Sequence, residues 1–187
     1  MLELSTNPQS ELLMPILETE RLSLRALTPE DAPFILELFN DPEWLKYIGD
    51  RGIRTLQDAA NYILNGPIKM RAQHGVALHL VELKGQNTPI GMCGLIKRDT
   101  LEDIDLGYAF LPAYRGQGYA YEISRAVLAY GQETFGLQRV VAIIDPRNQR
   151  SAHLLEKLGF AYESTFPLGG DPNLVVALYA IALTPLN

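Results

Sequence analysis

The stretch YRGQGYA (residues 114–120) decides how this chain is read. Ahead of it IDLGYAFL (104–111) reads as a strand, and behind it YEISRAVLAYGQETF (121–135) reads as a helix. A strand-to-helix junction with an arginine and two closely spaced glycines serves two physical ends. Glycine adopts backbone angles that other residues avoid, and the bare amides of a helix start bind anions. A dinucleotide fold would want G-x-G-x-x-G, but the third position holds Tyr121. A phosphate loop of the ATPase kind needs G-K-S/T, which the sequence lacks. What stands is an R-x-x-G-x-A pattern: Arg115, Gly118, Ala120.

Working outward, ERLSLRAL (20–27) alternates as a half-buried strand does. Thr28, Pro29 and Asp31 form a helix start, and the helix reaches about Asn40. A second helix is expected within 55–72, irregular near Gly66-Pro67. VALHLVEL (76–83) and PIGMCGLI (89–96) flank GQNT as a hairpin, and 104–111 extends it to a meander. A helix from about 118 to 135, a strand at 139–145, a helix across 148–158 and strands at 160–166 and 173–183 complete the chain. The expectation is a single α+β domain over 19–187, with residues 1–18 as a tail. Its mixed, mostly antiparallel sheet has about seven strands flanked by helices.

The 187 residues carry a net charge of −6, with 47% hydrophobic and 20% charged residues. That is the composition of an ordinary soluble globular protein, expected in the cytoplasm. The acidic balance disfavours nucleic acid as a partner, and no run is long enough to imply a membrane partner. Cys93 is the one cysteine and sits in an apolar run, so it reads as a small buried hydrophobe. Histidines 74, 79 and 153 share no metal-ligand spacing, so no metal is expected. Arg115, Arg147, Arg150 and Lys157 gather in or near the two informative segments.

The second of those segments is VVAIIDPRNQRSAHLLEKLGF (140–160). Asn148 reads as a helix N-cap and Gly159 as the helix stop. Together with the glycine junction about thirty residues earlier, the segment resembles the GCN5-related N-acetyltransferase (GNAT) family. There N-x-x-S/A (Asn148, Ser151) precedes a helix ending in L-G-F (158–160). ERLSLRALTPED and LGYAFLPAYRGQGYA most resemble the RimJ/RimL-like branch, which includes enzymes acetylating the N-terminal amine of ribosomal proteins.

The resemblance implies acetyl-CoA as co-substrate. The amides of Arg115, Gly116, Gln117, Gly118, Tyr119 and Ala120 would wrap its pyrophosphate, and Asn148 and Ser151 would contact it from the second motif. The arm would pass where the fourth strand splays from the fifth, against the backbone of Phe110 and Leu111. The family's thiol-protonating tyrosine is replaced here by Leu155. Ser151 is a candidate substitute, or merely a hydrogen-bonding residue. Asp105 is the candidate base, with Glu102 and Asp103 as alternatives and a solvated acidic turn as the plainer reading. Trp44, Tyr47 and Tyr108 are candidate walls for the acceptor.

The implied reaction is direct acetyl transfer in a ternary complex to a primary amine, foremost a peptide N-terminal α-amine. A small amine such as a polyamine, amino sugar or amino acid is the alternative, and a non-catalytic acyl-CoA-binding module the rival. A homodimer is a further expectation from the family.

Overall fold

The computed structural model describes residues 14–183. Strands β1 (Pro15–Glu18) and β2 (Leu22–Arg25) open the fold. Residues 15–18, expected as tail, therefore belong to the sheet, preceded by an exposed Met14, and residues 1–13 of that tail lie outside the described residues. A 3-10 turn at Pro29–Asp31 leads into α1 (Ala32–Phe39). Asp31 Oδ2 accepts the Thr28 N–H at 2.8 Å, and both Asp31 oxygens accept from Arg25, which also binds Glu82. This buried cluster fixes the start of α1 to the sheet.

Next come α2 (Pro42–Tyr47), capped by the Asp41 side chain, and α3 (Leu56–Ile63), capped by Thr55. A π-helical turn at Leu64–Ile68 joins α3 to α4 (Lys69–His74). Pro67 sits inside that turn; a proline has no N–H to give, so the regular ladder breaks where Gly66-Pro67 foretold.

The meander follows as β3 (Leu78–Leu83), β4 (Thr88–Ile96) and β5 (Asp105–Phe110), all antiparallel. After it come α5 (Tyr119–Phe135), β6 (Arg139–Ile144), α6 (Gln149–Leu158), β7 (Ala161–Pro167) and β8 (Val175–Ala182). One eight-stranded sheet results, ordered β1-β2-β3-β4-β5-β6-β8-β7. It has one strand more than the sequence suggested.

The one parallel pair, β5 with β6, is in register only at Asp105 opposite Val141. Beyond that point the two strands part, which is the expected splay between the fourth and fifth strands of the sequence reading. Period-two alternation sends β5 side chains to two cores. Leu106, Tyr108 and Phe110 pack with Ile123, Val127 and Leu155 under α5 and α6. Ala109 packs with Leu80, Met92, Phe39 and Ile63 under α1–α4.

Candidate active site

A cleft of about 710 Å³ opens where β5 leaves β6 and reaches both faces of the sheet. On one face its wall is the N-terminus of α5. Gly116 (φ +75°) and Gly118 (φ +83°) hold left-handed angles that turn the chain from strand to helix. No side chain caps α5, whereas Asp41, Thr55 and Asn148 cap α2, α3 and α6. Its first-turn amides therefore point outward with no intrahelical acceptor. Gly116, Gly118, Tyr119, Ala120 and Tyr121 line the cleft there. The acid of that first turn, Glu122, is drawn off to Thr19 and Arg21, leaving the positive helix end uncompensated.

Two expected contributors to this nest are engaged elsewhere. Arg115 gives Nε to the Phe110 carbonyl at 2.8 Å, one Nη to Glu43 at 2.9 Å and the other to Asp41. The Arg115 amide, expected in the nest, donates instead to the Pro112 carbonyl at 3.3 Å, and the guanidinium ties the loop to α2, because two acids lie within its reach. Gln117 folds its amide onto the Ala113 carbonyl, and its own carbonyl takes Arg21. Only the Gln117 N–H is left for an anion.

The β5 edge needs a similar correction. Leu111 donates to the Ile90 carbonyl at 3.0 Å and accepts from Tyr114, and its side chain is buried. Its backbone faces β4, so it does not reach the opening. In an antiparallel ladder, successive residues turn their N–H groups to opposite edges. The residues whose backbone faces the opening are therefore Tyr108 and Phe110.

Tyr108 also differs from its expected place as an acceptor wall. Alternation puts its ring on the α5/α6 side, where its hydroxyl lies 2.7 Å from Ser151 Oγ. Burial pushes the phenol well above its ordinary range, opposed by the bond to Ser151. Ser151 is held by the first turn of α6: its N–H donates to Asn148 Oδ1 at 3.1 Å. Asn148 lines the cleft, but that oxygen serves the cap. Leu155 is fully buried in the core beneath.

On the other face, Asp105 lies at the fulcrum of the splay, 1% exposed. Arg98 Nε donates to Oδ2 at 2.6 Å, and the Ile143 N–H to Oδ1 at 3.3 Å. Burial pushes this carboxyl up to about 6, against the pull of Arg98. Of the alternatives, Asp103 is an exposed partner of Arg139, and the Glu102 carbonyl takes Lys97; neither lines the cleft.

Trp44 is both core and wall: 6% exposed, its ring tilted 40° against Phe39 with centroids 3.9 Å apart, and Nε1 buried without a partner among the described residues. Tyr47 lines the mouth, its ring under Lys46 Nζ at 4.6 Å. Arg51, Tyr62 and Arg98 join them without having stood out in the sequence. They sit in loops and on a helix face where no periodic pattern marks them.

Among the described residues no cluster of His, Cys, Asp or Glu could hold a metal. No helix there is long and apolar enough to cross a membrane. Cys93 is buried and its thiol is pushed up to about 12 by burial, as an inert core residue.

This splayed sheet, with an uncapped helix after its central strand, defines a class. The acetyltransferase (GNAT) domain family model matches residues 21–161, and the chain belongs to that family. It is an acetyltransferase whose acetyl donor is acetyl-CoA. The Bacillus subtilis uncharacterized N-acetyltransferase YoaA is 30% identical over 153 residues, covering 81% of this chain and 85% of its own. Over a shorter 58 residues, 31% of this chain and 30% of the relative, it is 38% identical to the Escherichia coli ribosomal protein uS5-alanine N-acetyltransferase. The structure of RimL, the ribosomal L7/L12 α-N-protein acetyltransferase in complex with coenzyme A, superposes with a TM-score of 0.76. At 18% identity, over 91% of this chain and 98% of the other, that likeness is one of fold.

Proposed function

We propose that the chain transfers the acetyl group of acetyl-CoA directly to a peptide N-terminal α-amine within a ternary complex. The observation that carries this reading is the division of proton-handling groups by β5. Asp105 stands on the acceptor face, the Tyr108–Ser151 pair stands on the opposite face, and the opening lies between them.

When bound, the co-substrate supplies a thioester carbonyl and a thiol leaving group. The uncapped α5 terminus holds its pyrophosphate through backbone amides and the helix dipole. The β5 N–H groups of Tyr108 and Phe110 face the opening and are the donors for the oxygen that gains charge. Asp105, ionised above about pH 6, accepts a proton from the ammonium. The freed amine nitrogen bonds to the carbonyl carbon. As the carbon–sulfur bond breaks, the nitrogen gives up its second proton and sulfur receives one through Ser151 and Tyr108. The hydroxyl pair thus ends as it began, and the first proton leaves Asp105 for solvent.

The acid–base match favours an α-amine. Its pKa of about 8 lies roughly two units above Asp105, while a lysine near 10.4 lies more than four above. Each unit adds about 1.4 kcal/mol to the proton transfer. The uS5-alanine relative, by its name, acts on a protein alanine, which supports the same choice. The test is thiol release from acetyl-CoA with peptides bearing a free α-amine, beside the same peptides N-acetylated but carrying lysine. Turnover confined to the free α-amine is expected; equal turnover of both would overturn the reading.

A further inference from the structure

The acceptor side of the cleft carries a charge pattern that the chemistry above leaves unused. Among the described residues, every carboxylate lining the cleft is held by arginine: Glu43 by Arg115 and Arg150, Asp105 by Arg98, Asp145 by Arg147. Beyond the one amine that Asp105 serves, a polycation entering the cleft meets no acid without an arginine partner among the described residues.

Cationic groups, by contrast, are left over. Arg51, on the loop between α2 and α3, lines the cleft, and no acid pairs with it among the described residues. Its neighbour Asp50 is taken by Arg54 instead. Arg98 commits Nε to Asp105, and its two Nη groups have no protein acceptor among the described residues. Both guanidinium groups act on the same phenol, Tyr62. Burial pushes that phenol up to about 12, and Arg51 and Arg98 pull it back. Tyr62 packs in the core under α1–α4, so this cationic corner lies on the opposite sheet face from the α5 amides. It is distinct from the pyrophosphate nest.

We propose that this corner binds a carboxylate carried close to the reactive amine, so that the acceptor is an acidic α-amine and not a polyamine. Arg51 and the Nη groups of Arg98 supply the charge-assisted donors, with the Tyr62 hydroxyl beside them. The carboxylate can come from an acidic side chain early in a peptide, or from the free carboxyl end of a dipeptide or amino acid. The inference rests on the α-amine reading and narrows it.

The experiment uses four acceptors with wild-type protein and acetyl-CoA: Ala-Glu-amide against Ala-Gln-amide, and Ala-Ala against Ala-Ala-amide. The first pair reports a side-chain carboxylate, the second a terminal one. In at least one pair the acidic member should have a KM lower by about tenfold, the ratio that one charge-assisted hydrogen bond carries. Arg51→Gln should erase most of that acidic-to-neutral ratio in the responding pair while leaving the Kd of acetyl-CoA within about twofold. A second readout needs no turnover: Trp44 is the one tryptophan of the chain and lines the cleft, so its fluorescence reports peptide binding with coenzyme A present. Acidic members should titrate it at lower concentration than neutral ones.

Equal KM and equal titration within both pairs, or weaker acetyl-CoA binding by Arg51→Gln, would overturn the inference and leave the α-amine reading standing. Turnover of spermidine with none of the four α-amines would overturn both.

Discussion

Tyr108 Oη and Ser151 Oγ stand 2.7 Å apart and join strand β5 to helix α6 beside the opening between β5 and β6. With its phenol pushed up by burial, Tyr108 stays protonated at neutral pH and holds its hydrogen bond with Ser151, giving up its proton less readily than an exposed phenol. In the proposed mechanism the two hydroxyls deliver the proton to sulfur as one hydrogen-bonded unit. It stands where the family tyrosine is missing, since Leu155 is sealed in the core.

Residues that act as a unit give non-additive losses. Ser151→Ala and Tyr108→Phe should each lower kcat by about tenfold, below the usual 10²–10⁴ of a general acid. The reason is that a thiol with a pKa near 8.5 already leaves tolerably. The double variant should lose little more than either single one. Steady-state kcat for the three variants checks this, and losses that multiply to about a hundredfold would show two independent roles.

In the proposed mechanism Asp105 takes the other proton. Wild type should show a kcat/KM profile whose acidic limb bends near pH 6, the value to which burial has raised this carboxyl. Asp105→Asn removes the acceptor and should lower kcat/KM by about a hundredfold at pH 6.5. It should recover partly toward pH 9, where solution supplies neutral amine. A pH–rate profile for both proteins against one peptide decides it; an unchanged acidic limb in the variant would remove Asp105 from the mechanism.

The same carboxyl leaves a mark on stability. Its ordinary pKa is 3.8 and its folded value about 6, so between those values the folded protein holds a proton that the unfolded chain has released. The group's contribution is fully present below about pH 4 and is lost as pH rises through about 6. The difference corresponds to roughly 3 kcal/mol. The unfolding free energy of wild type minus that of Asp105→Asn should therefore fall by about that much between pH 4 and pH 8. Denaturant titrations at both pH values measure it, and a gap independent of pH would mean the carboxyl is not raised.

How far the sequence carried this picture varies with the physics of each element. Alternation and glycine placement reported the meander, the junction and the closing strands, because those signals are local. The splay and the acetyl donor came from motif resemblance, because one register pair at Asp105 and Val141 leaves no periodic trace. Strand β1 went unread because four residues, PILE, are too short to alternate visibly. The ion pairs of Arg115 went unread because its partners Asp41 and Glu43 are more than seventy positions away. Leu111 and Tyr108 depended on which ladder edge and which sheet face each occupies, and one residue of register reverses both.

Arg115 offers a direct test of that correction. Asp41, with its side chain 6% exposed, caps α2 through the Glu43 and Trp44 amides and also meets Arg115. Arg115→Gln should lower stability by about 1–3 kcal/mol, because it removes the cation from a buried carboxylate. Acetyl-CoA affinity should change by less than about threefold, since the guanidinium is held by α2 and the strand end. Thermal unfolding and calorimetry on the same variant separate the two. A large loss of affinity with full stability would restore Arg115 as an anion ligand.

Gly118 is where fold and binding meet most closely. Its φ of +83° places it in the left-handed region as the N-cap of α5, and an added Cβ would lie 3.4 Å from an Arg21 Nη. That contact is with the end of a flexible side chain, so the strain of Gly118→Ala is in the backbone, about 1–2 kcal/mol. The chain relieves that strain by rotating the Gly118 peptide, which turns the adjacent amides away from a common point. Thermal stability should drop by a few degrees, and the Kd of acetyl-CoA should rise about tenfold or more. Gly116 has φ +75° and no atom within 4 Å of an added Cβ, so Gly116→Ala carries similar strain one step further from the helix. It should cost comparable stability but less affinity, because the first-turn amides belong to the α5 end that Gly118 caps. Calorimetric Kd values for the two alanine variants, matched for stability, make the comparison. If both lose affinity in proportion to stability, the amides of the α5 start are not the anion site.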